Sequence, residues 1–156
     1  ACNPQLLLAD EPTTALDVTI QAQVMDLISD LQKKFQTAML LITHDMGVVA
    51  QTCDDVAVIY AGNIVEYGTK EQIFDHPTHP YTVGLFGAIP DMNEDEMWLH
   101  PIEGMPPDPT HLPQGCAFHP RCKYATEECR RGEIAMEKTE DGHECRCCRM
   151  NALKED

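Results

Sequence analysis

The chain has 156 residues, of which 43% are hydrophobic, and carries a formal net charge of −15 at pH 7. This length and apolar content favour one domain with a modest core and an appendage. Eleven basic against 26 acidic residues argue against a nucleic-acid partner, because phosphate contacts need clustered Lys and Arg. No apolar run approaches the roughly 20 residues of a membrane-spanning helix. We therefore expect any membrane link to run through a partner.

The first predicted element is a short apolar strand that ends in two adjacent carboxylates. Residues 6–8 are three leucines, typical of a strand covered on both faces, and Asp10 and Glu11 follow closely. Ligands of open α/β sheets bind beyond the carboxyl ends of such strands. Asp10 can assist a Mg²⁺ ion held by substrate phosphates, and Glu11 can polarise an attacking water. The pattern indicates nucleotide hydrolysis, with a simple charged turn as the alternative.

The next residues predict a parallel strand–helix–strand unit. Apolar residues recur at spacings of three and four over residues 18–35, with Asp17 placed as N-cap, which predicts an amphipathic helix. A second buried strand is predicted over residues 38–43, followed by His44. Parallel crossover units bring both strand ends to one edge of the sheet. We therefore expect His44 to lie close to Glu11.

Shorter elements follow. Residues 46–53 predict a helix, residues 56–60 and 64–68 predict a β-hairpin, and Thr69 is placed to cap a short helix. Residues 76–82 are typical of an N-capped helix start with Pro in its first turn. The His76/His79 pair alone offers too few ligands for a metal.

The composition changes near residue 90, after which repeated prolines disfavour regular helices. We therefore predict two parts, residues 1–90 and 91–156. Residues 91–96 are expected to form an exposed acidic loop, and residues 97–99 could anchor it to the core.

The first part resembles the Walker B segment, D-loop and switch histidine of ATP-binding cassette ATPases. The matching residues are Asp10-Glu11, Thr14-Ala15-Leu16-Asp17 and His44-Asp45. The resemblance implies that Asp10 assists the Mg²⁺ shell, Glu11 is the catalytic base, His44 contacts the γ-phosphate and Asp17 couples two cassettes. The chain contains neither a G-x-x-x-x-G-K-[ST] phosphate cradle nor a Ser-Gly-Gly-Gln signature. We therefore expect the C-terminal part of a longer cassette, inactive in isolation.

Further segments resemble the oligopeptide and dipeptide importer branch of that family, and most closely the first of its two ATPase subunits. They are Val48-Val49-Ala50, residues 60–62 and 64–69, His79-Pro80-Tyr81 and residues 112–122. The resemblance implies an α/β fold: the C-terminal part of a P-loop NTPase cassette, with parallel strands, crossover helices and a β-hairpin, plus a Pro/Cys-rich irregular tail. Nickel, opine and sugar importers have similar ATPases and stay open as alternatives.

The same resemblance implies cofactors, partners and a location. ATP and Mg²⁺ are the expected cofactors. A second cassette ATPase subunit and transmembrane permease subunits are the expected partners, with a peptide-binding protein as an indirect one and no nucleic acid. The location implied is cytoplasmic, peripheral on the inner face of the cell membrane. An interaction or metal-binding module without catalysis is the alternative function.

Six of the eight cysteines lie in the last third of the chain: Cys116, Cys122, Cys129, Cys145, Cys147 and Cys148. Clustered cysteines in a reducing compartment are more often metal ligands than disulfides. The first three are separated by five and six residues, wider than a tight zinc knuckle and compatible with an iron–sulfur cluster. Iron–sulfur, zinc, disulfides and unliganded thiols all remain open from the residues alone.

The importer resemblance implies a ligand set for this tail. Some members of that family carry a four-iron (4Fe–4S) cluster on three cysteines with these spacings and a fourth near the C-terminus. Alignment of the family's Gly-His-x-Val-x-Cys on residues 142–147 places the fourth ligand at Cys147, with Cys145 and Cys148 as alternatives. The predicted metal ligands are therefore Cys116, Cys122, Cys129 and Cys147.

Overall fold

The computed structural model describes residues 4–88 and 101–150, and the chain divides into two compact units, residues 1–54 and 55–156. The architecture is mixed α/β, with one parallel and one antiparallel sheet. Within the described residues, no helix has the length and apolar character needed to cross a membrane.

Unit 1 is the predicted strand–helix–strand unit. Strands β1 (Leu6–Asp10) and β2 (Ala38–Ile42) pair in parallel, and Asp10 lies opposite Ile42. They are joined by helix α1 (Val18–Phe35), and helix α2 (Met46–Thr52) follows β2. Parallel pairing in this register brings the two strand ends together, as the sequence predicts.

The apolar strand residues of unit 1 are more exposed than expected. Leu6 is 52% exposed and Leu8 is 64% exposed, so the prediction of a strand covered on both faces is wrong for the described residues. In that part of the chain β1 and β2 have only each other as sheet partners. Apolar side chains that a wider, covered sheet would bury therefore remain accessible.

Unit 2 begins with the predicted hairpin, formed by β3 (Asp55–Tyr60) and β4 (Asn63–Thr69). Helices α3 (Lys70–Asp75) and α4 (Pro80–Gly87) follow. Thr69 and Gln72 form a reciprocal capping box at the start of α3. His79 is the N-cap of α4, and Pro80 occupies the first turn, within the helix start that the sequence predicts.

The tail is more ordered than the proline pattern predicts. It contains single-turn 3₁₀ helices at His119–Arg121 and Glu128–Arg130 and short strands β5 (Glu137–Lys138) and β6 (Glu144–Cys145). Because β6 pairs with β4, hairpin and tail form one sheet in the order β3-β4-β6-β5. The predicted boundary at residues 90/91, the acidic loop 91–96 and the anchor 97–99 lie outside the described residues.

The core of unit 2 combines hairpin and tail residues. Its buried members are Val58, Tyr60, Val65, Ile73 and Phe118. Aromatic rings dominate the contact: the Phe118 ring centroid lies 5.3 Å from that of Tyr60 and 5.4 Å from that of Tyr81. This packing fixes the start of the cysteine-bearing tail against the hairpin.

Candidate functional site

The strand edge of unit 1 brings two predicted site residues into contact. The Nδ1 atom of His44 lies 3.1 Å from the Oε1 atom of Glu11. The backbone N–H of Glu11 donates to the carbonyl of Ile42 at 2.8 Å, which extends the parallel pairing to the residue that bears the carboxylate. The prediction that both strand ends share one edge is therefore confirmed.

Glu11 is held from its other side by a residue that the sequence analysis assigned no role. The Thr14 hydroxyl donates to Glu11 Oε2 at 2.7 Å. The hydrogen bond from Thr14, and then the contact with His44, hold the pKa of Glu11 below its usual range. Glu11 has a φ of 42° and Ala15 has a φ of 65°, so the turn after β1 uses left-handed backbone. An oriented, ionised carboxylate is the form that a general base requires.

The two predicted cofactor-binding aspartates have different environments. Asp10 is exposed at the end of β1, next to Glu11. Asp17 caps α1, and its Oδ1 atom accepts from the backbone N–H of Ile20 at 3.0 Å. The structure therefore gives Asp17 a helix-capping role in unit 1.

Asp45, which follows the histidine, links the two helices of unit 1. Its Oδ1 accepts from the N–H groups of Gly47 and Val48, and its Oδ2 accepts from the Gln21 side-chain amide at 2.6 Å. The hydrogen bond from Gln21, followed by that from Val48, lowers the pKa of Asp45. The capping role could be predicted from the sequence, because Asp45 directly precedes a helix. The contact with Gln21 could not, because the two residues are 24 positions apart.

A cavity of about 670 Å³ also lies in unit 1, lined by α1 and the end of α2. It contains none of the predicted nucleotide-site residues: Asp10, Glu11, Asp17 and His44. The carboxylate–histidine pair instead lies on the surface, where His44 has an 80% exposed side chain. The large volume of the cavity is therefore not evidence that the nucleotide site lies in it.

Five cysteines meet in unit 2, in a space that we call the thiol cavity. Its free volume is about 10 Å³, room for about one water molecule, so the lining side chains nearly fill it. Its lining includes Cys116, Cys122, Cys129, Cys147 and Cys148, together with His79, Phe118 and Arg149. All four predicted ligands thus converge, although no three His, Cys, Asp or Glu side chains within the described ranges have metal-site geometry.

Two of the four predicted ligands share one further feature: the sulfur accepts a hydrogen bond from a backbone N–H of a nearby residue. The N–H of Thr126 lies 3.4 Å from Cys129 Sγ, and that of Arg149 lies 3.3 Å from Cys147 Sγ. Hydrogen bonds of this kind stabilise a thiolate. Backbone N–H groups also favour the thiolate of Cys116 (from Phe118 and His119) and of Cys122 (from Tyr124), but less than burial disfavours it.

Cys145 differs from this set. Hydrogen bonding to Cys147 and burial raise the pKa of Cys145, so its thiol keeps its proton. The same contact lowers the pKa of Cys147 to about 7. Of these two neighbours, Cys147 is thus the better ligand, since metal-bound cysteine is deprotonated.

Cys148 and Cys129 are direct neighbours, with their Sγ atoms 3.3 Å apart. Burial and this contact raise the pKa of Cys148 to about 12. Burial opposes ionisation of Cys129 as well, yet hydrogen bonds from Thr126 and then from Cys148 leave the pKa of Cys129 lowered. Of these two neighbours, Cys129 is therefore the thiol that ionises more readily.

Burial also raises the pKa of the Cys116 thiol and raises the pKa of Cys122 to about 11. Neighbouring thiols add to this effect, because one thiolate disfavours the next. A bound cation would offset both effects on the pKa, the burial and the repulsion between neighbouring thiolates. Occupation of the thiol cavity is thus coupled to proton release.

A buried polar network that sequence reasoning missed adjoins this cavity. Glu66 is fully buried and accepts hydrogen bonds from Thr78, from the backbone N–H of His79 and from His143. The His79 ring is 1% exposed, and its Nε2 atom has no hydrogen-bond partner. A charged residue directly after the apolar pair Ile64 and Val65 was the available signal for Glu66.

Comparison with known proteins finds a matching family model and several similar proteins. Residues 65–129 match the family model described as "Oligopeptide/dipeptide transporter, C-terminal region". The chain is 55% identical over 98% of its length to the oligopeptide transport ATP-binding protein OppD of Haemophilus influenzae, covering 47% of that protein. It is 47% identical over 94% of its length to the dipeptide transport ATP-binding protein DppD of Escherichia coli, covering 45% of that protein.

Among solved structures, the chain is similar to cbiO1 of Clostridium perfringens, part of the ABC transporter complex cbiONQ. The TM-score is 0.44 and the identity 30%, over 53% of this chain and 33% of that one.

Both of these relatives are named as ATP-binding proteins of oligopeptide or dipeptide transport. The chain is similar to these proteins over almost its whole length. It spans about half the length of the curated relatives it matches.

Proposed function

We propose that this chain forms the hydrolytic part of an ATPase subunit that energises the import of peptides across a membrane. The observation that carries the proposal is the contact between Glu11 and His44 at the ends of two parallel strands. The relatives are named as ATP-binding proteins of oligopeptide or dipeptide transport, and they supply the substrate class. They favour peptides over the nickel, opine and sugar alternatives.

Each residue has a distinct task in this proposal. Glu11 is the base: Thr14 and His44 occupy one position on each of its oxygens, and the remaining lone pairs can accept a proton from the attacking water. His44 contacts Glu11 through Nδ1, which leaves Nε2 to contact a phosphate oxygen. Asp10 assists the Mg²⁺ shell, which supplies charge neutralisation at the phosphates.

Asp17 has two tasks in the proposal. One oxygen caps α1, and the other stays available to a second cassette across the nucleotide. The partners proposed are a second ATPase subunit and the permease subunits, with a peptide-binding protein acting indirectly. This arrangement places the chain on the cytoplasmic face of the membrane.

The test uses a chimeric subunit in which this chain replaces the 55% identical segment of the Haemophilus influenzae relative. In such a subunit, assembled with its partners, Glu11→Gln should reduce ATP turnover by a factor of about 100 or more, because the amide is no base. ATP binding should be unchanged, because Gln keeps the size of Glu and can still hydrogen-bond to Thr14 and His44.

Glu71→Gln is the matched control, since Glu71 is exposed on α3 in the other unit. It should leave turnover unchanged. Wild-type turnover in the Glu11→Gln chimera would remove the general base from the proposal. Submillimolar Mg-ATP binding by the isolated chain in equilibrium dialysis would contradict our expectation that it is inactive alone.

We propose a second role for the tail, as the holder of a 4Fe–4S cluster on Cys116, Cys122, Cys129 and Cys147. The chemistry of the donor set suits such a cluster: four thiols line one cavity, and Cys129 and Cys147 each accept a backbone N–H that stabilises the thiolate form. Because the lining side chains nearly fill the cavity, they would have to move apart to admit the cluster. When bound, such a cluster would cross-link a tail with little secondary structure. Zinc on the same thiolates is the alternative.

Single serine variants distinguish the ligand sets in the anaerobically purified chain. Cys147→Ser should remove most of the bound iron and sulfide, whereas Cys148→Ser and Cys145→Ser should retain them. Stoichiometric zinc without iron would favour the zinc alternative. Full iron and sulfide in Cys147→Ser would contradict the ligand assignment.

A further inference from the structure

The His79 ring has one nitrogen in use and one without a partner. Its Nδ1 atom accepts a hydrogen bond from the backbone N–H of Tyr81 at 3.1 Å, so Nδ1 carries no proton. In a neutral imidazole the proton then lies on Nε2, which becomes a donor. Nε2 is buried and has no hydrogen-bond partner. A buried N–H without an acceptor is rare in native proteins and points to a partner that binds there.

The surroundings of the ring are the second observation. His79 lines the thiol cavity, together with the four proposed ligands. Glu66 accepts the backbone N–H of His79 and three further hydrogen bonds from Thr78 and His143. The unused donor and the sulfur acceptors therefore share one enclosed space.

We infer that the Nε2–H of His79 donates a hydrogen bond to a sulfur atom of the iron–sulfur centre held in the thiol cavity. This inference rests on the proposed cluster. Hydrogen bonds to cluster sulfurs are among the factors that set the reduction potential, because they stabilise the more negative, reduced state. His79 is thus a positioning residue that raises the reduction potential, and this gives the His-Pro-Tyr segment a task beyond starting α4.

Two substitutions separate the donor from the helix cap. His79→Asn keeps an acceptor close to the position of Nδ1, and Asn is a good N-cap, but it has no atom at the position of Nε2. His79→Gln extends an amide N–H toward that position and gives up the preferred cap. If His79 has only a structural role, His79→Gln should destabilise the protein more than His79→Asn does. If His79 is a hydrogen-bond donor to the cluster, His79→Asn should change the reduction potential more than His79→Gln does.

The measurement is a redox titration of the anaerobically purified chain, followed by visible absorption and electron paramagnetic resonance. His79→Asn should make reduction about tenfold less favourable, which is a shift of about 59 mV to lower potential for one electron. His79→Gln should stay close to the wild type. Thr82→Val is the matched control: Thr82 Oγ1 is also buried without a partner, but Thr82 does not line the thiol cavity. It should leave the potential unchanged.

The outcomes separate this inference from the cluster proposal. Wild-type chain without iron and sulfide contradicts the cluster itself. A loaded His79→Asn chain with the wild-type potential overturns the inference and leaves the cluster in place; a water bonded to Nε2 then explains the buried donor. Loss of the cluster from both variants assigns His79 a structural role, and also overturns the inference. Loss from Asn with retention in Gln supports the donor.

Discussion

Glu66 on β4 and His143 in the tail form a hydrogen bond of 2.9 Å between two buried side chains that are 77 positions apart in the sequence. The same carboxylate accepts the backbone N–H of Thr78 at 2.6 Å and that of His79 at 3.0 Å. One side chain therefore joins the hairpin, the segment before α4 and the tail. Because His79 lines the thiol cavity, this carboxylate also fixes one wall of it.

We predict that Glu66→Ala lowers the free energy of unfolding of residues 55–156 by about 3 kcal/mol, because it leaves several buried donors unpaired. Urea unfolding followed by near-ultraviolet circular dichroism reports on this unit, since all four tyrosines belong to it. Glu137→Ala, at an exposed position on β5, is the control and should change stability by no more than about 0.5 kcal/mol. Equal transitions for the two variants would contradict the joining role.

Gly115 is predicted to be required for the shape of the thiol cavity. Its φ is +75°, and an added Cβ would lie 2.3 Å from the carbonyl oxygen of Cys129. The same oxygen accepts the backbone N–H of Cys116 at 2.9 Å, so two proposed ligands meet at this point. Gly115→Ala should destabilise unit 2 by about 3 kcal/mol and lower the iron content of the purified chain.

Gly132 provides a matched control for this prediction. Its φ is also positive, at +65°, but an added Cβ would meet no atom within 4 Å. Gly132→Ala should therefore show only the backbone cost of about 1–2 kcal/mol and keep the iron. If the two variants behave alike, close packing of Gly115 against Cys129 is not what shapes the cavity.

The sequence predicts those elements whose signals are local. The helix predicted over residues 18–35 is α1 (Val18–Phe35), because apolar spacing and an Asp cap act within one helix. The hairpin and the N-capped helix start within residues 76–82 are also correct, although the sequence did not assign the cap to His79. The proximity of Glu11 and His44 follows from parallel pairing, a rule that converts two strand ends into one edge.

Contacts between distant residues were not predictable in the same way. The pairing of β6 with β4 and the Glu66–His143 hydrogen bond depend on where a proline-rich tail returns to the hairpin, which no periodicity encodes. The exposure of Leu8 depends on how many strands flank β1, a property of the assembled sheet and not of its apolar run.

Asp45 is predicted to stabilise α2 in a pH-dependent manner. Its carboxylate caps the helix and binds Gln21, and these contacts lower its pKa from the ordinary value of 3.8. A lowered pKa means that the stabilisation is fully present above pH 3.8 and is lost as the pH falls through the folded value. Asp45→Ala should weaken α2 by about 1 kcal/mol at pH 7, and the difference should shrink below pH 3.8.

Amide hydrogen exchange in α2 tests this prediction, because the N–H of Val49 bonds to the Asp45 carbonyl in the first turn. Asp30→Ala, at an exposed position on α1, should leave exchange in α2 unchanged. A protection difference between wild type and Asp45→Ala that persists undiminished well below pH 3.8 would show that the carboxylate charge is not its source.

Thr14 is predicted to set the pH at which Glu11 can act as a base. Its hydroxyl makes the larger contribution to the lowered pKa of Glu11, so Thr14→Val should raise that pKa toward its ordinary value. More of Glu11 is then protonated at acidic pH, and the acidic limb of ATP turnover in the chimeric subunit should move to higher pH. Turnover at neutral pH should fall by about tenfold, because a group that orients a functional side chain is lost.

Thr19→Val, at an exposed position on α1, is the matched control and should reproduce the wild-type profile. An unchanged acidic limb in Thr14→Val would mean that the group titrating in turnover is not Glu11.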